Sequence, residues 1–193
     1  FRRNRNIVDY IIPQLVNDPL VSQVIIAHGD EKNIFGVEKL ADGKYHKIGK
    51  ILHIGNYEEN NVYKCFRRWR LLGRLLQEGI IKDELIYSQD DDVLYENGFL
   101  DKIIQSFKEK KGVLISADYG RTCEEGVYNG KKYEGECEIL LGKSILVDVF
   151  TLKSVLDKIE KRSIPKYILE EDDICLSILA GEESEINKRH YAM

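Results

Sequence analysis

Residues 84–93 read Glu84-Leu85-Ile86-Tyr87-Ser88-Gln89-Asp90-Asp91-Asp92-Val93. A short apolar run at 84–88 suits a buried strand, and it passes straight into three consecutive aspartates. Adjacent carboxylates repel, so such a run is unfavourable unless a cation neutralises it. Along an extended segment alternate side chains share a side, which would set Asp90 and Asp92 together and turn Asp91 away. Two hard oxygen donors on one side suit Mg²⁺ or Mn²⁺ with positions left open for phosphates. A solvated loop cap is the plain alternative.

Outward from this stretch, strands and helices alternate. Upstream, the spacing predicts a helix over 4–17 kinked at Pro13, a strand over 21–27, a polar Gly-containing segment over 31–49, and a strand over 50–55. Asn60-Asn61 would cap an amphipathic helix over 62–78. Its apolar face carries Cys65, Phe66, Trp69, Leu72 and Leu76, and Arg67, Arg70 and Arg74 line another face. Downstream come a helix over 97–111, a strand over 113–118, a Gly- and charge-rich loop over 121–136, and a strand over 145–150. A helix over 151–161, a break at Pro165 and a helix over 171–180 opening on acidic residues follow, before an exposed tail. The alternation predicts a single α/β domain with a mostly parallel central sheet flanked by helices on both faces. Ligands of such sheets bind at the carboxyl ends of the strands. His28-Gly29-Asp30, Gly55-Asn56, Asp90-Asp91-Asp92 and Asp118-Tyr119-Gly120-Arg121 all fall at such ends.

Composition narrows the function classes. The chain has 193 residues, 43% hydrophobic and 32% charged, enough for one domain with a sizeable core. A net charge of −4 argues against a nucleic-acid partner, which needs a basic surface. No apolar stretch reaches the roughly 20 residues that span a bilayer, so no membrane span is expected. Cys65, Cys123, Cys137 and Cys175 form no zinc-like spacing and read as reduced thiols of a cytoplasmic protein, although Cys123 and Cys137 flank a loop and can pair. His28, His46 and His53 read as structural or exposed.

The strand followed by D-x-D and then Val93 resembles the metal motif of GT-A-fold (Rossmann-like) nucleotide-sugar glycosyltransferases. Tyr167-Ile168-Leu169-Glu170-Glu171-Asp172-Asp173-Ile174 resembles the second acidic motif of that fold. The chain looks most similar to exostosin-like domains and to the capsid-glycan glycosyltransferases of large algal DNA viruses, with motif matches over 62–95 and 166–180. The resemblance implies a UDP-sugar donor, Mn²⁺ or Mg²⁺ bridging its diphosphate, a glycan or glycoprotein acceptor, and a cytoplasmic site of action, in the host if viral. It implies Asp92 and Asp90 as metal ligands, with Asp90 also at the ribose, and His190 as a further metal or phosphate contact. Arg74, and with it Arg67 or Arg70, would approach the base or diphosphate, and Asp172 and Asp173 would serve catalysis beside the sugar and acceptor. The family's first strand should precede the first helix. Here it falls at or before Phe1, leaving Arg2, Arg3 and Arg5 as remnants of a nucleotide loop. A solvated arginine face and a helix-capping acidic run are the plain alternatives for 67–74 and 170–173. A metal-dependent nucleotidyltransferase and a non-enzymatic binding module are the rival classes.

Overall fold

A computed structural model describes residues 5–110, 114–116, 119–124, 127–182 and 190–192. Arg2, Arg3 and Asp118 lie outside the described residues, while Arg5 opens the first helical segment. That segment runs as a π-turn, Ile7–Ile11, into α1, Ile12–Asn17, with Pro13 in its first turn, where a missing N–H is harmless.

The strands divide among three sheets. In the first, β1 (Val24–His28) pairs in parallel with β3 (Ile51–Gly55), and β2 (Tyr45–Ile48) adds antiparallel to β3. In the second, the order is β4 (Leu85–Gln89), β10 (Ser144–Asp148), β5 (Leu114–Ser116), β11 (His190–Ala192), β8 (Gly135–Cys137). In the third, β6 (Gly120–Glu124) lies between β7 (Val127–Tyr133) and β9 (Ile139–Leu140). Among the described strands, β1–β3 and β5–β11 pair in parallel, and the other strand pairs are antiparallel.

This architecture corrects the expected single, mostly parallel sheet and with it the GT-A fold. The cause lies in the connections. Parallel neighbours need a crossover of a dozen or more residues, whereas short connections reverse the chain. The described residues within 120–148 hold five strands and no helix, so the described part of the expected loop at 121–136 is antiparallel strand, and β10 enters its sheet reversed. Only part of the alternation survives: β4 and β5 both oppose β10 and so point the same way, with α4 (Phe99–Lys110) between them in sequence and β10 wedged between them in space.

The remaining helices are α2 (Tyr57–Tyr63), α3 (Arg67–Gln77), α5 (Val149–Arg162), α6 (Lys166–Leu169) and α7 (Asp172–Gly181). The helix expected over 62–78 thus starts earlier and breaks at Lys64, which takes a positive φ of 48°. Asn60 does not cap it; its side-chain amide donates instead to the Gly29 carbonyl, 3.0 Å. Cys65 is exposed, not on the buried face. No helix among the described residues is long and apolar enough to cross a membrane.

α3 holds the sheets together. Phe66 and Trp69 enter a core with Ile145, Val147, Leu152, Val155 and Leu176. Leu71 and Leu75 face Leu52 and Ile54 of β3 in another. Gly73 sits where a β-carbon would strike Leu156 of α5, so its absence lets the two helices close. The run Ile145-Leu146-Val147 is apolar throughout because β10 is covered on both faces: Ile145 and Val147 join the α3–α5–α7 core, and Leu146 packs with Leu100, Ile103 and Ile115 under α4.

Within the first sheet, buried His28 and His53 are joined ring to ring, Nε2 to Nδ1, at 3.1 Å. Burial, then His53, then Arg67 push His28 down to about 4 from 6.5. The neutral folded form is therefore favoured above the unfolded value of 6.5, and that stability is lost as pH falls through about 4. Urea unfolding should show a loss on the order of 3 kcal/mol between pH 7 and pH 4 from this group. The loss should flatten in His28→Gln; an identical pH profile in the variant would contradict the assignment.

Candidate functional site

Four chain ends meet beside the acidic run: the end of β4, the start of β10, and the N-termini of α3 and α7. The main-chain N–H of Asp90 donates to the Lys143 carbonyl at 2.8 Å, fixing the end of β4 to the approach to β10. Arg68, in the first turn of α3, reaches across the junction. Its Nη1 donates to Asp90 Oδ1 at 2.8 Å and its Nε to Asp172 Oδ2 at 2.9 Å. Longer bonds from Nη1 go to Ser88 Oγ, 3.4 Å, and the Gly142 carbonyl, 3.3 Å. The indole N–H of Trp69 also donates to Asp172 Oδ2, at 3.2 Å. Asp173 accepts from the Gly142 N–H at 3.3 Å and from the Ile174 N–H at 2.8 Å. Gly142 lies close against both aspartates: a β-carbon there would be 3.3 Å from that of Asp173, a tight contact, and 3.6 Å from Asp172 Oδ1.

The two acidic segments, remote in sequence, are therefore joined through one guanidinium. Asp172 is only 6% exposed. Burial raises its pKa, and Asp173 and Asp90 add to the rise, while Arg68 and the Trp69 bond oppose it. Burial also works against the charge on Arg68, but Asp172 and Asp90 outweigh it and the net shift is upward. Three carboxylates against one guanidinium leave the junction negative.

The acidic run itself turns. The strand ends at Gln89, Asp91 and Asp92 lie in a turn, and the Gln89 amide donates to the Val93 carbonyl at 2.6 Å to close it. The alternation expected of an extended segment therefore does not hold here. Asp91, expected to point away, acts electrostatically on Arg67.

The named arginines are placed apart. Arg67 lies beside Gly29 at the end of β1. Arg70 is 3.9 Å from Glu59 and sits 4.2 Å over the Tyr63 ring. Arg74 is two turns further along α3, about 10 Å down the axis, near Tyr45 of β2. His190 is 1% exposed, and its Nε2 hydrogen bonds to the Ser177 carbonyl at 2.7 Å. It thus packs against the second half of α7 as the start of β11, within the tail expected to be exposed, and burial lowers its pKa.

Among the described residues no three His, Cys, Asp or Glu side chains converge as a metal cage, and Asp90 already gives Oδ1 to Arg68. The acidic run fits a hard cation only as half a site, in the manner of Mg²⁺ and Mn²⁺, which take one or two carboxylates and complete their shell with water and phosphate. Next to the run, a cavity of about 400 Å³ opens between α1 and the loop after β4, lined by Gln14, Gln89, Tyr95 and Phe99 among others.

Sequence reading missed Arg68, Trp69 Nε1 and Gly142. A signal for Arg68 existed: it stands four residues before Leu72, on the flank of the apolar face, where a charge needs a carboxylate partner.

Removing Arg68 strands a buried carboxylate. Arg68→Met should cost about 2–4 kcal/mol in urea unfolding at pH 7, and Arg68→Met with Asp172→Asn should cost less than the sum of the single changes. Additive losses would show that the pair is not coupled.

No family model and no curated protein matches this chain.

Proposed function

We propose that the chain is a metal-dependent glycosyltransferase that moves a sugar from a UDP-linked donor to a hydroxyl of a glycan or glycoprotein. The observation that carries this reading is the meeting of Asp90 with Asp172 and Asp173 around Arg68. A site for transfer between polyhydroxylated substrates needs carboxylates to orient hydroxyls and to accept a proton, and it needs a way to hold an anionic leaving group. A negative junction repels a diphosphate unless a divalent cation accompanies it. A bound Mn²⁺ or Mg²⁺ would supply Lewis-acid stabilisation of the departing UDP.

The residues then divide by exposure. Asp172 is buried and tied to Arg68 and Trp69, so it holds the guanidinium in place. Asp173 is less buried and oriented by two backbone N–H groups, which fits it to face the acceptor hydroxyl and take its proton as the bond to the sugar forms. The neighbouring cavity, with amide and aromatic side chains in its wall, has the polar and apolar surfaces that a sugar ring requires.

Calorimetric titration with UDP should show Mn²⁺ raising affinity at least tenfold in the wild type and not in Asp92→Ala. Asp173→Asn should retain UDP binding and lower UDP release from its donor by about 10²–10⁴-fold. Equal UDP affinity in all conditions would remove the metal from the reading. Silence across a panel of UDP-sugars, with no UDP binding, would favour a non-enzymatic binding module.

A further inference from the structure

The cavity beside the acidic run has a wall of one electrostatic sign. It opens between α1 and the loop that leads from β4 into α4. At about 400 Å³ it falls within the roughly 300–1,000 Å³ typical of small-molecule sites. Asp18 and Glu96 bring two acidic groups to it, and among the described residues the wall holds no Lys, Arg or His. The acidic run stands at its border, directly after Gln89. Lys50 comes near without entering the wall: its ammonium donates to the Val16 carbonyl at 3.1 Å and to that of Asp18 at 3.4 Å.

The rest of the wall is largely amide and aromatic, and it is held in shape. Gln14 of α1 donates through Nε2 to the Tyr95 carbonyl at 2.6 Å, tying the helix to the loop. Gln89 is likewise spent on the loop: Nε2 donates to the Val93 carbonyl, and Oε1 accepts from the Tyr87 hydroxyl at 3.1 Å. The Tyr95 and Phe99 rings stack 4.1 Å apart and 13° from parallel. Gly98 takes a φ of 78° at the turn into α4, a conformation that favours glycine. Asn17 and Asn97 are exposed at the cavity, and an amide both donates and accepts. A sugar ring matches that combination, since its hydroxyls donate and accept while its C–H face packs on an aromatic ring. A carboxylate or phosphate instead needs a cation or converging N–H donors, and here it meets two acidic side chains.

We infer that this cavity is the subsite of an uncharged acceptor sugar, and that Asp18 and Glu96 make it select against acidic sugars such as uronates. The sugar it takes is the acceptor because the donor's sugar arrives on a diphosphate, which this wall offers no cation to hold. The inference rests on the transferase reading only in calling that sugar the acceptor; binding of an uncharged sugar stands by itself. The selection is electrostatic, so it fades as salt screens the two carboxylates.

The test is NMR titration of the protein at low salt with the methyl glycosides of glucose, galactose, mannose and xylose, and with those of glucuronic and galacturonic acid. At least one neutral glycoside should bind, and its matching uronate should bind at least tenfold more weakly, with the gap narrowing in high salt. Asp18→Asn with Glu96→Gln should raise uronate affinity at least fivefold, a gain that a folding defect cannot produce. UDP with Mn²⁺ should leave the glycoside in place. No binding by any neutral glycoside, uronates bound as tightly, or discrimination unchanged in the double variant would overturn the subsite. Displacement by UDP would make the cavity a nucleotide site and overturn it as well. Selective binding of neutral glycosides while every UDP-sugar remains intact would leave the sugar subsite standing and remove the transfer reaction.

Discussion

The carboxylate of Asp172 sits at the N-terminus of α7 with little access to water, and an isolated charge there would be prohibitive. It is tolerated because Arg68 and the Trp69 indole both reach it. Trp69 is fully buried in the core that α3 shares with α5, α7 and β10. The ion pair is thus bolted to the packing: moving Asp172 would pull on the indole, and moving α3 would pull on the first and second sheets, since Leu71 and Leu75 of the same helix close the core under β3. Asp90 completes the arrangement from the end of β4.

This constraint explains why the charged junction lies where it does. α3 and α7 both direct their N-termini toward it, and Asp172 and Asp173 occupy the first turn of α7, where a helix favours negative charge. Arg68 and Arg67 open α3, where a positive charge gains nothing from the helix itself. Arg68 is stabilised there by the two carboxylates. Arg67, its neighbour, turns instead toward Gly29 at the end of β1.

Much of this was legible in the sequence, for physical reasons that can be named. The run Leu85–Ser88 is apolar because β4 is half-buried or better, and Ile145-Leu146-Val147 because β10 is covered on both faces. The acidic opening of α7 marked a helix start. The direction of β10 was not legible, because local pattern records burial and not the sense of pairing. The strands at 120–140 were hidden by their Gly, Lys and Glu content, and the break at Lys64 by a positive φ at a residue with no sequence cue for it. In the site, the acidic segments were visible but their meeting was not. Arg68 escaped notice because the more regular face of Arg67, Arg70 and Arg74 drew attention to the wrong side of α3.

The bridging of Asp90 and Asp172 by Arg68 is the claim on which the rest stands. It is tested most directly by following the side-chain carboxyl ¹³C resonance of Asp172 through a pH titration, in wild type and in Arg68→Met. The expected result is a midpoint above the ordinary carboxylate range in wild type that climbs further when Arg68 is removed, as burial and the neighbouring carboxylates then act unopposed. A midpoint in the ordinary range, unmoved by the substitution, would contradict it.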